Sequence, residues 1–362
     1  MKNAARIIAA VTLGATLSMN ASAFDGWYIE SATPVPGQGG SWDYLALDEG
    51  RQHLFIGHRS EGLKVFDLQT QKMVSVVPQT QSGSSNGATL MPDLDLGVSN
   101  NQDGTLTPFR LSTLEVVGPV IKLGAGLDNS HYDAATHRLI VNMEPEKNSA
   151  QAELIVLQAP ALHVIGKIAV PSAKPEHADS DGKGILYMAA RDVDQVFRID
   201  MRTMKLTATW PTPGCGQTNS LVMDVPSNRL FLGCRGRGQT KPTFAVMDSA
   251  DGKVIYTHEI GGGNDGLIYD RDLKRVFLSN SVHAVLNVFE QVDANTYRPI
   301  EAVGTRANVR TMAMDSRNKK IYSFTAQGSA DYAKPVTTSV SPFYANTFVP
   351  DTFTVLTIAR RR

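Results

Sequence analysis

The chain has 362 residues, with 35 lysines and arginines against 35 aspartates and glutamates, a formal net charge of zero. That balance argues against recognition of a polyanion through bulk charge, and so against nucleic acid as a partner. Thirty glycines and 18 prolines suit a chain that turns often, as one built from many short strands does.

Residues 1–23 read as a secretory signal peptide. Lys2 and Arg6 give a positive start, residues 7–17 are an apolar run, and Ala21-Ser22-Ala23 offers small residues where a signal peptidase reads. The run is shorter than the roughly 20 residues a spanning helix needs. No later stretch is long and apolar enough to cross a bilayer. The mature chain is expected to start near Phe24, to be periplasmic, and to occupy residues 24–362 as one domain. Without Lys2 and Arg6 it carries 33 basic and 35 acidic residues, a net −2. Its two cysteines, Cys215 and Cys234, are expected to form a disulfide in an oxidising compartment.

From residue 42 onward the chain repeats itself. Residues 42–47 read as a strand closed by Asp48-Glu49-Gly50-Arg51. Residues 54–58, 63–68 and 72–78 then follow as three more strands, with turn residues between them. The second strand of this unit recurs at 94–99, 138–142, 185–190, 229–234, 275–280 and 320–325. The third recurs at 106–111, 153–158, 195–199, 244–248, 286–290 and 353–358. Seven copies spaced by roughly 42–48 residues match the four-stranded, WD40-like blades of a β-propeller. The seventh copy lacks a fourth strand. An orphan strand at 27–37 ends in Pro34-Val35-Pro36-Gly37, as the fourth strand of copy four ends in Pro211-Thr212-Pro213-Gly214. The N-terminal strand is therefore expected to complete the last blade and close the ring, because an open ring leaves unpaired strand edges. The expected fold is all-β, a seven-bladed propeller.

The segment Leu54-Phe55-Ile56-Gly57-His58, with Leu63-Lys64-Val65-Phe66-Asp67-Leu68 and Lys72 after it, resembles the YVTN-repeat, YncE-like propellers, including exported bacterial members. The resemblance spans the mature chain, although the signature strand reads Phe55-Ile56-Gly57-His58 here. It implies the propeller fold. It also implies a choice among binding proteins, lactonases and subunits of amine dehydrogenases, because fold does not set chemistry.

Connection lengths single out one face. Turns between first and second strands, and between third and fourth, are short and uniform. Loops from second to third strand vary, with insertions at 144–151, 235–242 and 326–351. The last of these carries Tyr332, Phe343, Tyr344 and Phe348. Variable loops on a rigid scaffold are where binding residues sit. The innermost strands would present Trp42, Asp43, Asn86, Asp128, Asn129, His131, Glu176, His177, Asn219, Asp265 and Arg310 to a central channel from that face. Exits of the second strands add His58, Asn142, Arg191, Arg235, Asn280 and His283. Part of this set is expected to cap turns and bond to backbone, as Asp and Asn do.

Three roles follow from these residues. The first is a non-enzymatic binding propeller for a small molecule or a periplasmic protein. The second is a hydrolase or lyase of lactone or ester type, with His177 and Glu176 as base and Arg310 or Arg191 stabilising an oxyanion. The third is an accessory subunit of a periplasmic redox enzyme, such as an amine dehydrogenase. A metal in the channel would need Asp43, Asp128, His131, Glu176, His177 and Asp265 to converge. No Gly-x-Ser-x-Gly elbow or zinc-protease motif is present.

Overall fold

The computed structural model describes residues 26–145, 149–331, 333 and 345–361. The expected signal peptide lies outside the described residues, as do Tyr332, Phe343 and Tyr344. Among the described residues the strands form seven four-stranded sheets and one two-stranded ladder. Blade 1 is Leu45–Asp48, His53–Gly57, Leu63–Asp67 and Lys72–Val76, paired antiparallel in chain order. Blades 2 to 6 repeat this order, and their innermost strands are Ser85–Met91, Leu127–Asp133, Pro175–Ser180, Thr218–Asp224 and Asn264–Asp270. The chain is an all-β, seven-bladed propeller. The second strand of blade 2 is Leu96–Asn101 rather than 94–99, because Pro92–Leu94 forms a short 3-10 turn. Proline at 92 presets such a turn and withholds an amide from the ladder.

The repeated aspartates explain why the blades turn where they do. Asp48 accepts the Arg51 amide at 3.1 Å, Asp270 the Leu273 amide at 3.0 Å, and Asp315 the Arg317 and Asn318 amides at 3.0 Å each. Asp67 and Asp200 do the same in turns between third and fourth strands. A carboxylate that bonds its own chain two or three residues on stabilises a tight turn. The cores lie between blades. Phe55, Leu63 and Val65 of blade 1 pack on Phe109 and Leu111 of blade 2, and Phe231 and Val246 of blade 5 pack on Leu278 and Phe289 of blade 6.

The ring closes through the N-terminus. Gly26–Pro34 pairs antiparallel with Thr354–Arg361 from Gly26↔Arg361 to Pro34↔Thr354, and that strand pairs on its other side with Lys320–Thr325. Trp27 is buried against Phe277 of blade 6, with ring centroids 4.7 Å apart, and its amide donates to Glu301 Oε2 at 2.8 Å. Cys215 and Cys234 form a disulfide across the start of blade 5, with Cα atoms 5.4 Å apart.

Trp27→Ala removes a large buried ring at the seam between blades 6 and 7. A loss of about 3–5 kcal/mol is expected, read from urea unfolding followed by circular dichroism. A change below about 1 kcal/mol would mean that this seam does not hold the ring.

Candidate functional site

Seven innermost strands leave a channel down the middle of the disc. At the end bearing the variable loops it opens into a funnel of about 330 Å³. Every blade contributes to its wall. Blade 1 supplies Asp43, Tyr44 and Arg59, and blade 2 supplies Gln102. Blade 3 supplies Asp128 and Glu144, and blade 4 supplies Lys174, Glu176 and Arg191. Blades 5, 6 and 7 supply Arg235, Asp265 and Arg310. Five of these side chains are acidic and five are basic, so the wall is nearly all charge and the total balances.

The charges are stitched together around the mouth. Arg59 pairs with Asp43 at 2.7 Å. Arg310 reaches Asp43 at 3.4 Å, Asp265 at 2.8 Å and the Trp42 carbonyl at 3.0 Å. Arg235 pairs with Asp265, and Asn219 Nδ2 donates to the same carboxylate at 3.1 Å. Burial alone would raise the Asp265 carboxyl, but Arg235 and Arg310 overcome it and hold this group far below the usual carboxylate range. Glu176 pairs with Arg191 at 2.8 Å, and Glu144 with Lys174. Burial would depress the Arg191 guanidinium, yet Glu176, Asp265 and Asp128 raise it.

Asp128 differs from the others. Among the described residues no cationic side chain pairs with it, and its carboxylate accepts from Asn86 Nδ2 at 2.9 Å. Burial first, then Glu176, Asp43 and Glu144, push its carboxyl well above the usual range. Tyr44 lies beside these carboxylates, and its hydroxyl accepts from Asn129 Nδ2 at 2.9 Å. Burial and the neighbouring acids Asp128 and Glu176 raise its phenol.

The sequence placed Asp43, Asp128, Glu176, Arg191, Arg235, Asp265 and Arg310 at the channel, and all seven line the funnel. His177 does not line it, which corrects the expected grouping of His177 with Glu176 and an arginine. Its ring packs edge-on against Tyr44 at 5.2 Å, and Nδ1 lies 3.3 Å from the Asn219 carbonyl oxygen. His131 lines a cavity of about 410 Å³ at the opposite mouth, with Leu47, Leu90 and Asp179. It sits three residues past Asp128 on one strand, about 10 Å further along at 3.3 Å per residue.

The remaining candidates serve the scaffold. Trp42 is buried among Phe324, Phe348 and Phe353. Asn142 Nδ2 donates to the Glu176 carbonyl at 2.9 Å, linking blades 3 and 4. Asn280 Nδ2 donates to Asn287 Oδ1 within blade 6, and His283 Nδ1 accepts the Gly262 amide at 2.7 Å. His58 is buried against Phe353, with Nε2 2.9 Å from the Gly40 carbonyl and 3.2 Å from Glu61. In the long insertion Gly328–Ser329 pairs with Thr347–Phe348, and Phe348 turns inward onto Trp42. Tyr44, Gln102 and Lys174 are funnel residues that the sequence did not single out. Tyr44 follows Asp43 directly and Lys174 precedes Glu176 by two, so proximity to an inner-strand start was the available signal.

Among the described residues no group of three or more His, Cys, Asp and Glu is arranged to hold a metal. Most of the expected channel carboxylates are engaged by arginine instead. No helix among these residues is long and apolar enough to cross a membrane.

The fold is similar to that of solved propellers. A chain in the crystal structure of a mitotic checkpoint complex matches with a TM-score of 0.70 at 12% identity, over 89% of this chain and 95% of that one. The WD40 repeats of RRP9 match with a TM-score of 0.73 at 8% identity, over 93% and 99%. At these identities the likeness carries the architecture alone. No protein-family model matches the sequence, and no curated protein matches it.

Two predictions follow from the charges. Arg310→Ala leaves Asp43 and Asp265 short of a partner in a buried site, and a loss of about 3 kcal/mol is expected. Arg310→Ala with Asp265→Asn should recover part of that loss in a double-mutant cycle. Additive losses would show that the two residues do not act as a pair. The second prediction concerns acid. Burial and Lys64 lower His58 to about 4, and burial and His177 lower His131 to about 3. Between pH 6.5 and 4 the unfolded chain therefore holds more protons than the folded one at both sites. Stability should fall as pH drops through that window, by about 1.4 kcal/mol per pH unit for each fully depressed histidine. His131→Phe should flatten that slope in melting temperature against pH. An unchanged slope would remove His131 from the account.

Proposed function

We propose that this chain is a periplasmic binding propeller that takes a small polar molecule into the charged funnel of its loop-bearing face without transforming it. The observation that carries this reading is the convergence of side chains from all seven blades on one small cavity of balanced charge. Ligand sites favour such concave positions on rigid frames, where a few polar groups fix orientation. Export is supported by Lys2, Arg6, the apolar run 7–17 and Ala21-Ser22-Ala23, and the resemblance to YVTN-repeat propellers agrees with it. The Cys215–Cys234 bridge suits an oxidising compartment.

A hydrolase or lyase reading has less support. The described funnel wall holds no imidazole, thiol or aliphatic hydroxyl, so His177 would need another route to a substrate held there. A protein partner remains compatible with the same face if it inserts a polar group into the funnel.

The test is a thermal-shift screen of charged and neutral polar metabolites against the wild type and a funnel variant, Arg59→Gln with Lys174→Gln. At least one small polar molecule should raise the wild-type melting temperature. Stabilisation of about 2.7 kcal/mol is expected at a hundredfold excess over Kd. The variant should lose most of that shift. Equal shifts in both proteins, or none for any charged molecule, would overturn the reading.

A further inference from the structure

We infer that the funnel's ligand is bipolar: a small zwitterion held with its anionic end against Arg59, Arg235 and Arg310 and its cationic end against Asp128, Glu144 and Glu176. The inference rests on the binding reading above and names the class of ligand.

The charges that balance across the whole funnel do not balance within each side. Blades 5, 6, 7 and 1 form one continuous arc of the ring. On it Arg59, Arg235 and Arg310 meet two carboxylates, Asp43 and Asp265. Arg59 Nε is buried there without a hydrogen-bond partner. Blades 3 and 4 form the facing arc. On it Asp128, Glu144 and Glu176 meet two cations, Lys174 and Arg191. Among the described residues Asp128 has the Asn86 amide as its hydrogen-bond donor and no cation at ion-pair distance, although the charge of Lys174 acts on it from further off. Counted over the described residues with Asp128 ionised, as a bound cation would hold it, one positive charge is in excess on one side and one negative charge on the other, across a cavity of about 330 Å³.

A ligand carrying one charge would correct one arc and worsen the mismatch with the other. A ligand carrying both corrects the two together, and charge-assisted hydrogen bonds to guanidinium and carboxylate are the strong ones. The size of the cavity, near the lower end for ligand pockets, sets a short molecule. The wall offers Leu127 and the Tyr44 ring as its main apolar surfaces, which sets a molecule with little hydrocarbon. Burial and three neighbouring carboxylates raise the Asp128 carboxyl and outweigh the more distant Lys174, so a cation brought against it would meet an under-compensated acid. Amino acids and short ω-amino acids have this chemistry.

The experiment compares glycine, β-alanine and γ-aminobutyrate with propionate and propylamine, using calorimetric titration of the full mature protein. At least one zwitterion should bind about tenfold or more tightly than both singly charged probes. Asp128→Asn should weaken that zwitterion by about tenfold and leave propionate within about twofold. Glu144→Gln, at the funnel rim, is the second variant and should weaken the zwitterion in the same direction if Asp128→Asn does not fold. Propionate or propylamine binding as tightly as every zwitterion overturns the bipolar inference and leaves the small-molecule reading standing. Silence from all five probes, together with a metabolite screen that also finds nothing, overturns both. A zwitterion that binds Asp128→Asn and Glu144→Gln as tightly as the wild type overturns the assignment of its cationic end.

Discussion

The strand Thr354–Arg361 is the constraint on which the rest depends. It is paired on one side by its own blade and on the other by Gly26–Pro34 from the far end of the chain. This seam turns a row of blades into a ring. Without it the strand Thr354–Arg361 of blade 7 would expose a row of unpaired backbone groups. With it the number of blades fixes the circumference, and the circumference fixes how far apart the inner strands stand. The funnel is a consequence. Asp43 and Arg310 come from opposite ends of the sequence and reach ion-pair distance only because the ring has closed between them.

A channel mouth lined by ten charged side chains is costly to build. Each half-buried ion loses hydration that its partner must replace. The structure meets that cost with shared partners. Asp265 is held by Arg235, Arg310 and Asn219, and Asp43 by Arg59 and Arg310. Every link but Arg59–Asp43, which lies within blade 1, crosses from one blade to another. The network therefore adds register to the ring as well as polarity to the cavity. It also pre-sets the geometry of any ligand contact, because a guanidinium held by two carboxylates has few orientations left to lose on binding.

The repeat was legible because its signals are local. Aspartates at strand ends, glycines and prolines in turns, and period-two apolar runs recur in each copy. The closing strand was legible from its Pro-x-Pro-Gly exit, which Pro34 to Gly37 shares with Pro211 to Gly214. The direction of individual side chains near the channel was not. Innermost strands break register where they enter the blade, between Leu127 and Ser130 in blade 3 and between Pro175 and Ala178 in blade 4. A bulge leaves alternation undefined across those residues. Asp128 and Asn129 fall in the first break, Glu176 and His177 in the second, so the sequence could place them at the channel but could not say which of each pair would face the funnel. His58 and Trp42 were obscured differently. Both are polar-capable residues at the expected face, and both are drawn into an aromatic cluster with Phe353, which no local pattern reveals.

Tyr44 marks a division along the channel axis. On its funnel side the wall is carboxylate and guanidinium. At the other mouth Met223, Ile268 and Met314 share a cavity of about 520 Å³ with Glu49, Asp270, Arg271 and Asp272, and Asp179 belongs both to it and to the cavity that holds His131. Asp179 there accepts the Met223 amide at 2.8 Å, and burial pushes its carboxyl up. The imidazole of His131 thus belongs with a region where burial favours neutral groups, whereas His177 lies close enough to the funnel to act on the Asp265 carboxylate. Acid–base chemistry on a bound molecule needs a proton carrier and a charge stabiliser in one place. Here His177 packs edge-on against Tyr44 and is not part of the funnel wall, where the arginines sit. The proposed recognition role rests on that arrangement, with the arginines and carboxylates of the funnel set to hold a molecule.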